Sequence, residues 1–240
     1  YGGEGADCLD GGNQNDHLYG GAGDDTILAG ANDDTIYADQ GADEIDGGSG
    51  TTDQITFAGS AAVNVNLTSG TGTGGYAAGD TYSNLEHVIG TNFNDTLTGA
   101  AQDETLEAGV GNDTLEGMAG SDRIDGGDGT DTASYENSTA GVTIDMALGS
   151  MLGGHAAGDV LIDIENIRGS NFADDITGDA SMNILRGLEG NDTLRAVFSG
   201  TDTLDGGDHT DTADFSDHAV SATISLVSGQ ASSGGIINTL

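Results

Sequence analysis

The amino-acid sequence predicts an all-β fold in which many short strands stack in register. Three observations lead to it: a nine-residue period, an acid and an aliphatic residue recurring two places apart, and glycine at the start of most units. The stretch GGAGDDTILAGANDDTIY, residues 20–37, contains two units in succession. Nine residues with one aliphatic position are too few for an amphipathic helix. A polar–aliphatic–polar triplet instead fits a very short strand with one side chain facing inward.

Composition and charge limit the possible partners. The 240 residues include 43 Gly, no Pro and no Trp, and 41 acids against four Arg give a formal net charge of −37. Phosphate binding needs clustered basic residues, so nucleic acid is excluded as a partner, and the same acidity disfavours an anionic membrane surface. Few aromatic residues and high charge would by themselves indicate disorder, but the regular period argues against it. Cations are therefore the expected partners.

A nine-residue frame divides the chain into 16 units in three blocks, which begin at Gly2, Gly90 and Gly169. Position six is Asp in 14 units, with Glu104 and Asn183 in the other two, and position eight is Leu or Ile in 14 units. Glycine at positions one, two and four permits positive φ angles and close backbone approach. Two units make one turn of 18 residues, so stacking turns should give two parallel sheets with a glycine-rich loop at each edge.

Stacking places the position-six residues in rows. Asp7 is expected beside Asp25, and Asp25 beside Asp43. Such rows repel unless a cation lies between them, and carboxylate and carbonyl oxygens suit Ca²⁺ better than Mg²⁺, which needs tight octahedral geometry. The candidate metal ligands are the position-six residues Asp7, Asp16, Asp25, Asp34, Asp43, Asp53, Asp95, Glu104, Asp113, Asp122, Asp131, Asp174, Asn183, Asp192, Asp202 and Asp211.

The units at 20–28, 108–116, 117–125 and 187–195 follow the pattern GGxGxDxUx, where U is aliphatic, which resembles the nonapeptide repeat of the RTX family. The resemblance implies a right-handed parallel β-roll with Ca²⁺ bound in the Gly/Asp-rich loops between turns. It also implies export by type I secretion machinery to the extracellular space or cell surface, and folding there on Ca²⁺ binding. The chain opens inside a repeat with no visible signal peptide, so we expect a fragment of a larger secreted bacterial protein.

Three departures from the motif affect individual sites. Asn183 lacks the charge of Asp and should give a weak site, and Glu104 has a longer side chain. Inserted residues near Thr52 and Phe198 interrupt the nine-residue register locally. Cys8 is the single cysteine, so it has no partner in this sequence for a disulfide, and bound cations are the expected substitute.

A longer repeat of 79 residues overlies the short one, since residues 62–99 recur as 141–178 and a third copy starts near Ala222. We expect one continuous elongated solenoid. Its parts are block one at 1–57, a spacer of strands and a loop at 58–89, block two at 90–135, a second spacer at 136–168, block three at 169–215 and a truncated spacer at 216–240.

The spacers contain two features whose interpretation the sequence leaves open. Apolar residues alternate at 63–67 and 142–146, which predicts one longer strand continuing the roll, with an antiparallel hairpin as the alternative. The same alternation predicts that Asp145 faces solvent. Asp80 and Asp159 each follow a glycine and are either further ion ligands or turn-forming residues.

Catalytic motifs are not found in the sequence. The five histidines lack HExxH spacing, no GxSxG elbow occurs, and GTGTGG at 70–75 has no βαβ context. The expected function is therefore a calcium-binding structural and secretion module rather than an enzyme. The alternatives are the C-terminal part of a secreted protease, lipase or alginate epimerase, or of a large adhesin, with the activity elsewhere in the parent chain. An ice-binding surface would need an outward Thr column, which position three of block one lacks.

Overall fold

The structure, a computed structural model, describes residues 1–197 and 202–214. The predicted spacer at 216–240, the last residue of block three and the insertion near Phe198 lie outside the described residues. Within the described ranges the regular elements are short strands and two 3₁₀ turns, Gly75–Ala77 and Gly154–Ala156, so the predicted all-β class is confirmed. No helix in this part of the chain is long and apolar enough to cross a membrane.

Most strands contain three residues. They are β1 (Gly3–Glu4), β2 (Cys8–Asp10), β3 (His17–Tyr19), β4 (Gly21–Ala22), β5 (Thr26–Leu28), β6 (Thr35–Tyr37), β7 (Glu44–Asp46), β8 (Gln54–Thr56), β9 (Asn64–Asn66), β10 (Thr71–Thr73), β11 (Thr81–Ser83), β12 (His87–Ile89), β13 (Thr96–Thr98), β14 (Thr105–Gly111), β15 (Thr114–Glu116), β16 (Arg123–Gly129), β17 (Thr132–Ser134), β18 (Thr143–Asp145), β19 (Ser150–Leu152), β20 (Val160–Ile162), β21 (Asn166–Arg168), β22 (Asp175–Thr177), β23 (Ile184–Arg186), β24 (Thr193–Arg195), β25 (Thr203–Asp205) and β26 (Thr212–Asp214).

Strand position follows the nonapeptide. In a regular unit the last three residues form the strand, as in β5, where Ile27 is buried and Leu28 is exposed. The alternation of a pleated strand explains why one aliphatic residue per unit suffices to build a core. The glycines that open the next unit end the strand. The predicted triplet strand with a single inward side chain is therefore confirmed.

Strands 18 residues apart pair in parallel, as in the register of Cys8 with Thr26 and Thr26 with Glu44. The described strands form sheets of 12, seven and five strands, with a two-stranded ribbon of β1 and β4. Their orders are β2-β5-β7-β11-β10-β9-β13-β15-β17-β21-β23-β25, β20-β16-β14-β12-β8-β6-β3 and β19-β18-β22-β24-β26. This is the parallel β-roll that the family resemblance implies.

The core consists of columns of inward-facing side chains, from position eight of the units and from the spacer strands, each stacked on its neighbour in the next turn. Each unit contributes one such side chain, so the core is thin. The same layer of side chains repeats from turn to turn along the stack. The columns in register are Leu9–Ile27–Ile45–Tyr82, Leu18–Ile36–Ile55–Val88–Leu106–Ile124–Leu161, Val65–Leu97–Leu115–Ala133–Ile167–Leu185–Leu204 and Ile144–Ile176–Leu194–Ala213.

The two spacers form antiparallel hairpins, so the prediction of one longer strand is wrong and the alternative is confirmed. Strand β9 pairs in parallel with β13 but antiparallel with β10, and β18 and β19 form the second hairpin. Each chain reversal has a side-chain acceptor: Asn66 Oδ1 accepts the N–H of Ser69 at 2.8 Å, and Asp145 Oδ1 accepts that of Leu148 at 2.9 Å. Asp145 is half-buried at this turn instead of simply facing solvent.

The loops use positive φ at positions two and four of the unit. Gly21 has φ of 101°, and a Cβ there would collide with the carbonyl oxygen of Gly3 in the preceding turn. Position four has positive φ even where glycine is absent, as at Gln14 with φ of 110°. Position-one glycines such as Gly20 do not have positive φ, so the prediction was wrong for that position and another constraint must select glycine there.

Gln14 provides a test of this backbone constraint. Its side chain is exposed, so Gln14→Gly removes strain of roughly 1–3 kcal/mol while losing little packing. The unfolded-state entropy of glycine offsets about 0.5–1 kcal/mol. We expect the free energy of unfolding to rise by about 1 kcal/mol, measured by urea unfolding in calcium-containing buffer. Gln14→Ala retains the Cβ and should give no such gain; equal gains for both variants would contradict the assignment.

Candidate metal sites

The position-six residues form ladders that link successive turns. Asp25 Oδ1 accepts the backbone N–H of Asp7 at 2.7 Å, and Asp43 Oδ1 accepts that of Asp25 at 2.9 Å. Asp34 Oδ1 accepts the N–H of Asp16 at 2.8 Å in the same way. The residues predicted to be neighbours therefore lie side by side. Asp25, Asp34 and Asp43 thus each use one oxygen to satisfy a backbone donor of the preceding turn.

The second oxygen of many ladder acids is buried and has no protein partner. We call these residues the open carboxylates. Within residues 1–197 and 202–214 the ladder acids whose Oδ2 is in this state are Asp7, Asp16, Asp25, Asp34, Asp53, Asp113, Asp122, Asp131 and Asp192. A buried acceptor without a donor carries a desolvation penalty of about 1–3 kcal/mol, and more when it is charged. A repeated penalty of this kind indicates that a ligand compensates it.

Glycine at position one keeps the space beside Oδ2 free. A Cβ at Gly2 would lie 2.7 Å from Asp7 Oδ2, and a Cβ at Gly20 would collide with Asp25 Oδ2. The space that a methyl group would fill borders a buried carboxylate oxygen. The open carboxylates therefore fit a cation on three counts: a hard oxygen donor, an unsatisfied charge and an adjacent cradle.

Burial, with repulsion from neighbouring carboxylates, raises the pKa of three of the open carboxylates, Asp113, Asp122 and Asp192. Burial raises the pKa of Asp122 to about 8; the N–H of Glu104 opposes the shift, and the charges of Asp159 and Glu104 add to it. Burial likewise raises the pKa of Asp192 to about 7 and that of Asp113 to about 6, with neighbouring ladder carboxylates contributing. The ladder thus favours neutralisation of its charges, by protons or by cations.

Asp95 and Asp174 differ from the open carboxylates because protein donors satisfy both oxygens. Asp95 Oδ2 accepts the N–H of Thr91 at 2.6 Å, and Asp95 Oδ1 accepts the Thr91 hydroxyl at 3.0 Å. Asp174 has the same two contacts with Ser170, both at 2.7 Å. We call these closed carboxylates. Their signal in the sequence is a hydroxyl residue, instead of glycine, at position two.

The two non-Asp ladder residues are also closed. Glu104 curls back onto its own loop, where Oε2 accepts the N–H of Ala100 at 3.1 Å and Oε1 that of Gln102 at 3.3 Å. Asn183 Nδ2 donates to the carbonyl oxygen of Glu165 at 2.7 Å. The longer side chain of Glu104 and the side-chain amide of Asn183 therefore make hydrogen bonds within the protein. An open Asp at position six lacks these bonds.

Asp80 and Asp159 continue the ladders through the spacers. Asp80 Oδ1 accepts the N–H of Asp43 at 2.9 Å, and Asp80 Oδ2 accepts the hydroxyl of Tyr82 at 3.1 Å. Asp159 Oδ2 accepts the hydroxyl of Tyr135, also at 3.1 Å. Both residues therefore take a ladder position with closed oxygens, which neither sequence interpretation anticipated.

The remaining predicted residues also lie in ladders. Asp202 Oδ1 accepts the N–H of Asn183 at 3.0 Å, and Asp211 Oδ1 accepts that of Asp192 at 3.1 Å. Asp43 has a further neighbour that the sequence analysis missed. Asp39, at position two of its unit, places a carboxylate oxygen within 4.8 Å of ligand atoms of Asp25 and Asp43.

Position five carries a second role that the sequence analysis missed. Asp24 Oδ1 accepts the N–H of Ala42, and Asp33 Oδ1 that of Thr51, both at 3.0 Å. Position six thus bonds to the preceding turn and position five to the following one. The signal was present in the recurring Asp-Asp and Asn-Asp pairs. The side chains that make the forward bond are Asp24, Asp33, Asn94, Asp103, Asn112 and Asn191.

Comparison with known proteins supports the same assignment. The family model described as RTX calcium-binding nonapeptide repeat (4 copies) matches residues 1–36, 19–52, 86–115, 99–133 and 162–196, which together exceed half of the chain. A search of curated proteins finds no match. Repeats of this family are structural calcium-binding modules, not catalytic ones, and they are typical of secreted bacterial proteins. The chain belongs to the RTX calcium-binding nonapeptide repeat family.

Proposed function

We propose that this chain is a structural module that folds when Ca²⁺ binds at the open carboxylates between successive turns. The observation that carries the proposal is the set of buried Oδ2 atoms that have no protein partner in the described residues. Beyond the first turn, which contains Asp7 and Asp16, each such oxygen belongs to a carboxylate that is already oriented, because its Oδ1 is tied to the preceding turn, as at Asp113 and Asp131. The fold thus holds ligands at a fixed spacing.

The donor set favours Ca²⁺ over other common cations. It consists of carboxylates on chain segments one turn apart, and Ca²⁺ accepts six to eight oxygen ligands at flexible geometry, whereas Mg²⁺ demands a near-ideal octahedron. Ca²⁺ also supplies two positive charges where neighbouring acids repel each other. In a chain of net charge −37, this neutralisation reduces the charge repulsion that opposes compaction.

The closed residues differ from the open carboxylates because they do not need an external ligand to satisfy their polar atoms. Asp95, Asp174, Glu104 and Asn183 have their polar atoms satisfied by the protein. We therefore place the ions at open carboxylates and expect weaker or no binding at these four residues. Because each ion would link adjacent turns, folding should be cooperative, as in other repeat proteins whose neighbours stabilise one another.

We further propose that the module works outside the cell as part of a larger secreted protein exported by type I secretion. Family membership supports this, since such repeats are typical of secreted bacterial proteins. Extracellular calcium modules have dissociation constants of about 10⁻⁴–10⁻³ M, so the chain would remain unfolded in a calcium-poor cytosol. The block and spacer boundaries given above are proposed as the divisions of this module.

A calcium titration followed by far-UV circular dichroism tests the proposal. We expect little β structure in EDTA and a cooperative transition at about 10⁻⁴–10⁻³ M Ca²⁺. Molar NaCl should not replace Ca²⁺, because it screens charge but provides no coordination. Full β structure in EDTA that Ca²⁺ leaves unchanged, or equal folding in NaCl alone, would sink the proposal.

Variants of Asp113 and Asp128 distinguish an acid that binds the ion from an acid on the surface. Asp113 is buried and open, whereas Asp128, at position three of the next turn, is exposed. Asp113→Asn keeps an acceptor for the N–H of Asp95 but removes the charge from an ion site, so the calcium midpoint of folding should rise at least about threefold. Asp128→Asn removes the same charge and should leave the midpoint almost unchanged. Equal midpoints in circular-dichroism titrations would show that position six does not bind the ion.

Acid should partly replace calcium. The raised pKa values of Asp122, about 8, and Asp192, about 7, mean that the ion-free fold binds more protons than the unfolded chain above about pH 4. The stability that Asp122 and Asp192 contribute to the ion-free fold is therefore fully present below that pH, and it is lost as the pH rises through 6 to 8. In calcium-free buffer, circular dichroism should show more β structure at pH 5 than at pH 8, with light scattering to monitor aggregation. Less structure at pH 5 would contradict the burial of these acids.

A further inference from the structure

Asp39 departs from the nonapeptide motif, because it stands at position two, where the motif has glycine. It occupies position two of the unit at 38–46, where Gly30 and Gly48 occupy the same position in the units on either side. Its ligand oxygen and those of Asp25 and Asp43 all lie within 4.8 Å of one another. Three carboxylates therefore converge where the other turns of block one bring ladder acids together in pairs.

The side chain of Asp39 is oriented in the same way as an open carboxylate. Its Oδ2 accepts the backbone N–H of Gly21 at 2.6 Å, which ties it to the preceding turn. Its Oδ1 is buried and has no protein partner. One oxygen thus fixes the group, and the other remains available to a ligand.

The two ladder acids of this cluster are more than nine-tenths buried. Asp25 is 2% exposed and Asp43 is 3% exposed, and Asp25 Oδ2 has no protein partner. Gly20 lies directly beside that oxygen, where a Cβ would collide with it. Residues 1–57 contain no Lys or Arg, so block one offers neither side chain to neutralise three carboxylates. A cation is the partner whose charge and oxygen preference match this site.

We propose that Asp25, Asp39 and Asp43 form a three-carboxylate site that binds one Ca²⁺ more tightly than the other turns do. The inference rests on the proposed function, because it assumes that ladder acids bind Ca²⁺. Calcium affinity rises with the number of charged ligands, and Asp39 adds one charge to an arrangement that the motif builds from position-six acids alone. This ion binds first and fixes the turns of block one on which later ions depend.

Two variants of Asp39 and one control separate this site from the general ladder. Asp39→Gly restores the motif residue and removes the third carboxylate. Asp39→Asn keeps an acceptor for the Gly21 N–H but removes the charge. The control is Asp24→Asn: Asp24 is exposed beside Asp25, and its bond to the N–H of Ala42 is one that an Asn makes elsewhere, at Asn112.

The experiment is a Ca²⁺ titration of the full chain in competition with a chromophoric chelator, with circular dichroism at saturating Ca²⁺ to verify folding. The unaltered chain should show one ion bound at least about tenfold more tightly than the rest. Both Asp39 variants should lose that tight step, and Asp24→Asn should retain it. If Asp39→Gly does not fold, Asp39→Asn decides.

The outcomes distinguish this inference from the proposed function. A tight step that survives in the folded Asp39 variants overturns the three-carboxylate site, and so does a single uniform class of Ca²⁺ ions in the unaltered chain. In either case calcium-dependent folding still stands. Absence of any Ca²⁺ binding would instead overturn the proposed function and this inference with it.

Discussion

The constraint on which the rest of the structure depends is that every acid at position six is stacked on its own copy one turn away. The nine-residue period forces this juxtaposition, and a hydrogen bond such as that from the Asp7 N–H to Asp25 Oδ1, at 2.7 Å, holds it. The bond satisfies the backbone and at the same time orients the carboxylate, leaving the second oxygen buried. The turns can therefore approach closely only if something neutralises the rows of charge, because neighbouring buried carboxylates repel each other.

At some ladder positions the protein itself provides a hydrogen-bond donor, from more than one kind of side chain. The hydroxyl of Thr91, the hydroxyl of Tyr82 and the amide of Asn183 each supply a donor at a ladder position. These closed positions include the first unit of block two, that of block three and the spacers, where the nonapeptide stack meets a spacer. Open carboxylates instead need a donor or charge from outside. In our account, the closed residues end each row of ions, and the open ones define its length.

The sequence was sufficient for the features that repeat and insufficient for those that do not. Strand position, parallel register and the neighbours of Asp25 follow from period and polarity alone. The spacer hairpins could not be distinguished from a longer strand, because alternation at 63–67 is the same in both and the turn acceptor Asn66 is a local contact. The closed state of Asp95 and the approach of Asp39 to Asp25 depend on contacts between turns, which a motif position does not specify. The paired acids at position five were visible, but their forward bond required the observed loop geometry.

The most direct test of the central claim is to locate the ions. Crystals of this chain grown with Ca²⁺, with data collected at a wavelength where calcium scatters anomalously, would show each ion as a separate peak. The account predicts peaks beside the second carboxylate oxygen of open residues such as Asp113 and Asp131, and none beside the closed residues Asp95 and Asp174. Peaks at the closed residues, or open carboxylates with no ion in a folded chain, would contradict it.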